Sequence, residues 1–437
     1  MTNLEVESQT TVPSRLDSIV FLLLMSGPPK LRDRDPTASL QGVIDSVVVF
    51  HIVLWACGAA WVFFRLYPVL IRRGVLPRLH SVQIVSLLLI AALSLSLWQS
   101  PGFMLSAFML SQFAIMWAFA WVFVDRYGPE TYVRHLFVGL CLLTLTLILA
   151  VILTPGVVMD AVVTNQGTQQ RFRGERIAGT GPVAVLALVC CLSSVPKLRQ
   201  LAFWTWVATF AVLLATSRMR TAYAALLAYL PIGYAFGKGL RVRRLVPLLL
   251  LSCFGLIAFD AFSSATDYVV RETNSIETMS DRLPLWTFLT TTVMHEEPLI
   301  GLGYYAASRI LGPQYNPGLG NAHSVFFEIL VGGGLIGAAM YVVLCASLLS
   351  YAARLLRVSE SQPAESIAIV GLLLVTLVLG LTSSEAANAG PVGFCFWSMT
   401  ALVPAMYRQA AAKTHFERSR FGEHGALMAG RYAGRYS

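Results

Sequence analysis

The feature that most constrains this chain is a series of apolar stretches, each long enough to cross or nearly cross a bilayer, joined by short polar connections. They fall at residues 46–64, 82–98, 103–124, 136–153, 177–195, 201–216, 221–236, 245–262, 325–349, 367–381 and 392–406. In lipid the backbone must satisfy its own hydrogen bonds, and apolar runs approaching about 20 residues do so as helices. The expected fold is therefore all-α: a polytopic transmembrane bundle of about 11–12 spans with one larger extracytoplasmic loop region. Composition agrees, because only 13% of the 437 residues are charged. That is about half the share of a soluble domain. No polar interval is long enough to build a second core. The chain reads as an N-terminal tail with a short possible span (1–40), a catalytic bundle (41–408) with its loop at about 263–322, and a basic tail (409–437).

Basic residues set the orientation. Arg65, Arg72, Arg73 and Arg78 follow the first clear span, and alternation places four more basic connections on the same side. These hold Arg126 and Arg134; Lys197 and Arg199; Lys238, Arg241, Arg243 and Arg244; and Arg354 and Arg357. The tail, with Arg408, Lys413, Arg418, Arg420, Arg431 and Arg435, also lands there. By the positive-inside rule this side is cytoplasmic. Lys30, Arg32 and Arg34 conflict with that parity unless the apolar stretch at 18–25 is a short extra span with the N-terminus inside.

Several function classes recede. The net charge of +9 reports topology here, so no nucleic-acid partner is expected. All seven cysteines lie in apolar runs without a CxxC pair or a neighbouring histidine cluster, so neither a zinc site nor a disulfide framework is expected. No metal or other cofactor is expected.

The opposite, basic-poor side carries the candidate chemistry. Its longest interval, 263–322, leads into the run at 325–349. Arginines on this side point to anion binding, since a guanidinium grips phosphate with paired donors. Arg218 and Arg220 stand between two apolar runs with no room for a loop, where they either snorkel at a helix end or face a pocket. Arg171, Arg173 and Arg176 lie among glycines that permit close backbone approach. Arg282 and Trp286 are spaced i, i+4 on a helix expected to begin near Leu283 or Pro284. His295, Glu296 and Glu297 read as a solvated turn before Pro298. His323 sits at the lip of the run at 325–349, where an imidazole can take a hydroxyl proton. Glu328, about one turn deeper, is expected to orient that ring, and Gly332, Gly333, Gly334 and Gly337 to allow close helix packing.

In order, Arg171 to Gly174, Ser217-Arg218 or Arg220-Thr221-Ala222, Arg282-x-x-x-Trp286, Pro298-Leu299-Ile300-Gly301-Leu302-Gly303, and Ala322-His323-Ser324 through Glu328 to Gly337 resemble the O-antigen ligase and polymerase superfamily. The resemblance covers Arg171 to Gly337. It departs from the usual pattern at Asp281, where glycine is common, at Ser324, where asparagine is common, and in the doubled arginine. What it implies is a metal-independent, inverting membrane glycosyltransferase of the bacterial cytoplasmic (inner) membrane, with its active site facing the periplasm. The implied donor is an undecaprenyl-diphosphate-linked glycan, and the acceptor a glycan or the lipid A core. Membrane lipids and other polysaccharide export proteins are the further implied partners. Arg218 or Arg220 and Arg282 would bind the diphosphate, with Arg171 and Arg173 assisting, and His323 would act as base. Polymerisation of repeat units is the first reading and ligation to lipid A core the second.

Two other classes compete. A transporter or flippase would place ionisable groups at mid-membrane, where Asp45 and His51 are the main candidates. A metal-dependent glycosyltransferase would use an acidic motif such as Asp33-Arg34-Asp35.

Overall fold

A computed structural model of the protein describes residues 12–27, 46–73, 79–153, 159–164, 167–172, 180–193, 199–217, 219–236, 282–316, 320–358, 363–384 and 387–433. The described residues form helices throughout, apart from one antiparallel hairpin of β1 (Met159–Thr164) and β2 (Gly167–Phe172). The helices are α1 (Arg15–Ser26), α2 (Ser46–Arg73), α3 (Ser81–Leu95), α4 (Phe103–Tyr127), α5 (Pro129–Leu153), α6 (Thr180–Leu192) and α7 (Gln200–Ser217). They continue with α8 (Arg220–Phe236), α9 (Arg282–Glu296), α10 (Ala306–Tyr315), α11 (Val325–Val358), α12 (Pro363–Thr382) and α13 (Pro391–Ala433).

The protein is a polytopic helical membrane protein. Six of the described helices are long and apolar enough to cross a membrane: α2, α3 with its following turn, α4, α5, α11 and α12. The apolar parts of α6, α7 and α8 are shorter. The stretch at 392–406 forms the buried first part of α13, and that helix continues through the expected tail to Ala433. The stretch at 245–262 lies outside the described residues.

The two ends of the bundle differ in chemistry. At one end Ser81 Oγ, opening α3, lies 3.2 Å from Tyr351 Oη near the end of α11, and Tyr351 packs edge-on against Tyr407. Arg354, Arg357 and Arg408 cluster in sequence around these tyrosines. Asp17 secures α1 at its own basic margin. It is 1% exposed and accepts from Arg65 Nη2 (2.5 Å), Trp61 Nε1 (2.7 Å) and Tyr127 Oη (2.7 Å). With Ser14 it also completes a capping box. One carboxylate thus ties α1 to α2 and α4, every lone pair occupied, which is how a buried charge is tolerated. At its other end α1 abuts the α12–α13 connection, where a Cβ on Gly27 would come within 2.6 Å of Ala389 O. Twelve helical residues rise roughly 18 Å. α1 alone is therefore shorter than the roughly 30 Å hydrocarbon core of a bilayer.

α11 is interrupted. Gly334 adopts φ 59°, ψ −157°, a conformation essentially confined to glycine. A break at this depth leaves backbone groups without intrahelical partners. The segment between α9 and α10 supplies them: Leu302 N–H donates to Val331 O (2.8 Å), while Leu335 and Ile336 N–H donate to Pro298 O (2.8 Å) and Leu299 O (3.2 Å). This docking needs backbone-to-backbone contact. A Cβ on Gly301 would fall 2.4 Å from Gly334 N, and one on Gly332 would fall 2.6 Å from Tyr304 Cα. The glycine run thus gives the close helix packing expected, a Cβ on Gly333 falling 2.8 Å from Leu93 Cδ2 of α3, and it also docks a loop at a break in the helix. Gly334→Ala places a Cβ 2.5 Å from the Leu299 backbone at a forbidden φ/ψ. The expected outcome is a loss of several kcal/mol, on the order of the strain and overpacking terms together. A lower yield of monodisperse protein and a lower melting midpoint in detergent check it.

Candidate functional site

The docked segment and the start of α11 assemble the site. α9 begins at Arg282, with Pro284 in the first turn where its missing N–H costs nothing. Its apolar face (Leu285, Leu289, Val293) packs with Ala307, Ala322 and Val331 into a small core separate from the main one. One turn along from Arg282, Trp286 Nε1 donates to Ala322 O (2.8 Å), and its ring stacks on Phe327 at 4.7 Å and 14°. Trp286 therefore fixes the residue next to His323. It serves as a partly buried strut.

His323 has φ 51°, a left-handed conformation held by an Asx-type turn in which Asn321 Oδ1 accepts its N–H at 2.7 Å. Its Nε2 is buried and makes no hydrogen bond. Burial, then the charges of Arg282 and Arg309, lowers its pKa to about 4. At neutral pH the ring is an uncharged proton acceptor. Burial likewise lowers the pKa of Arg282.

Glu328 has another partner than the one expected. It is fully buried, and no hydrogen bond joins it to His323. His323 stands in the turn before α11 in a left-handed conformation, so its ring is not carried on the helix that carries Glu328, and the orienting contact does not form. Instead Glu328 Oε1 forms a buried ion pair with Arg309 Nη1 and accepts from Ser308 Oγ (2.7 Å). Arg309, on α10, also donates to Ser308 Oγ (2.7 Å), to Tyr305 O (3.2 Å) and through Nη2 to Asn388 Oδ1 (3.4 Å). Its guanidinium lies 3.4 Å from the centroid of the Tyr305 ring. Although burial opposes its charge, Glu328 and the tyrosines reverse that effect and raise its pKa.

The charges of Arg282 and Arg309 thus both reach His323, and Glu328 pairs with Arg309. Arg171 stands in β2 opposite Asp160, and Arg220 opens α8. Arg218 and Arg173 lie outside the described residues, as do Asp45 and the Asp33-Arg34-Asp35 triplet. His51 lies within α2, and His295 and Glu296 are exposed at the end of α9. Sequence reasoning missed Arg309. Its one signal was another arginine in the basic-poor interval, followed within one helix by a carboxylate that needs a partner.

Fold and site together define a class: a polytopic helical membrane protein that presents guanidinium groups around an uncharged imidazole at the end of its bundle away from the Tyr351–Tyr407 pair. Residues 203–342 match the family model described as O-antigen ligase. The match supports an O-antigen ligase or polymerase type of membrane glycan enzyme, and it contains every residue of the assembled site except Asn388. No curated protein matches the chain.

Proposed function

We propose that this protein is an integral membrane glycosyltransferase that joins an undecaprenyl-diphosphate-linked glycan to an acceptor, polymerising polysaccharide repeat units on the periplasmic face of the cytoplasmic membrane. The observation that carries this reading is His323, neutral and with an unpartnered Nε2, flanked by guanidinium groups from two helices within the segment that matches the family.

A sugar diphosphate is already activated, so the protein's task is to place the acceptor and stabilise the leaving group. The acceptor hydroxyl oxygen forms its bond to the anomeric carbon as the bond from that carbon to the phosphate oxygen breaks. The hydroxyl proton passes to His323 Nε2, and the diphosphate leaves with its added charge beside the arginines. Attack opposite the leaving group inverts the anomeric centre, and no step in this scheme requires a metal. A bound diphosphate also offsets the positive field on His323, so the base strengthens once the donor is in place.

Ligation of finished polymer to lipid A core is the second reading, favoured by the description of the matching family. Glycans from cells lacking the protein separate the two. Single repeat units alone, restored to a ladder by the wild-type chain, support polymerisation. Long lipid-linked chains absent from lipid A support ligation. An unchanged glycan profile in both fractions contradicts the glycosyltransferase reading.

A further inference from the structure

We infer that Arg309 is a donor-binding residue, gripping the leaving diphosphate together with Arg282 while Glu328 holds it in position. The inference rests on the glycosyltransferase reading above and adds to it a residue from a different helix.

Three observations carry it. First, Arg309 is fixed in place. Its Nη1 is committed to Glu328, Ser308 and the Tyr305 carbonyl, and its flat face lies on the Tyr305 ring. A guanidinium held in this way loses little side-chain entropy when an anion arrives. Second, donor capacity remains. Nη2 makes only the long 3.4 Å contact with Asn388, and a guanidinium offers five N–H donors. Third, its position suits the chemistry. Arg282 and Arg309 come from α9 and α10, on either side of the loop that pins α11, and both charges reach His323. Two guanidinium groups acting on one neutral base, one of them already paired with Glu328, offer hydrogen-bond donors to a diphosphate leaving next to an acceptor hydroxyl. A purely structural ion pair would explain Glu328 and Ser308. It gives no reason for α10 to pack, through Ala307, beside Ala322 and Leu285, the neighbours of His323 and Arg282.

The test compares binding of undecaprenyl diphosphate and undecaprenyl monophosphate to the full-length protein in detergent. The readouts are titration and the shift in melting midpoint. Wild type is expected to prefer the diphosphate. Arg309→Lys keeps the charge but loses the fork, and is expected to lower the diphosphate-to-monophosphate ratio about tenfold, the scale of a charge-assisted hydrogen bond. Arg357→Lys, in the last turn of α11 and outside the site, is expected to keep the ratio. A folded Arg309→Lys protein with the wild-type ratio overturns the inference and leaves the glycosyltransferase reading intact. Equal loss in both variants also overturns it, because the preference would then not depend on the site. Wild type that binds neither lipid overturns both.

Discussion

His323→Ala is expected to abolish the product ladder in complemented cells, with turnover in vitro reduced about 10²- to 10⁴-fold, the usual contribution of a positioned general base. Affinity for the lipid diphosphate should change little, because the arginines remain. That split between turnover and binding distinguishes loss of the base from collapse of the site. Acidity gives a second readout. The folded pKa of about 4 lies below the ordinary histidine value of 6.5, so the unfolded chain binds a proton that the folded chain refuses. Stability from this group is present above pH 6.5 and is lost as pH falls from there toward about 4. His323→Ala should flatten the pH dependence of the melting midpoint across that window. A variant with full ladder formation contradicts the assignment of His323 as base.

The second large effect is expected at Glu328. Glu328→Leu leaves the Arg309 guanidinium, whose side chain is only 15% exposed, without its counter-charge. Breaking a buried pair from one side costs about 3–5 kcal/mol. A sharply lower melting midpoint and poor recovery of monodisperse protein are expected. Glu328→Gln keeps an acceptor for Ser308 and should lose much less. Replacing both partners, as in Arg309→Met with Glu328→Leu, should recover much of the stability, since well-packed apolar residues can replace such a pair at little cost. Stability of Glu328→Leu equal to that of wild type contradicts this account.

Much of the architecture was legible because its cause is one-dimensional. A run of apolar residues must become helix in lipid, and the run at 325–349 opens at the same residue as α11. The start of α9 was visible for a similar local reason, since Pro284 is compatible only with a helix's first turn. The parts that escaped depend on contacts between distant residues. Glu328 was recognisable as a buried carboxylate needing a partner, but not which partner, because Arg309 sits on a helix of only ten residues with a proline near its end. The glycines near 332–334 read as close helix packing, which they give, but sequence alone does not reveal that they also dock a loop. Trp286 likewise fits a membrane-interface belt by residue type, and only its bond to Ala322 reveals a strut.

The interruption at Gly334 has a consequence for how the protein is made. The N–H groups of Leu335 and Ile336 and the carbonyl of Val331 stay unsatisfied until residues 298–302 dock. Those residues lie about 30 positions earlier, so they leave the ribosome first and close a short loop at little entropic cost. The docking partner is therefore waiting when α11 reaches the membrane. The docked loop then doubles as an assembly template, and a variant that weakens this docking is expected to be lost during biogenesis, before its activity can be assayed.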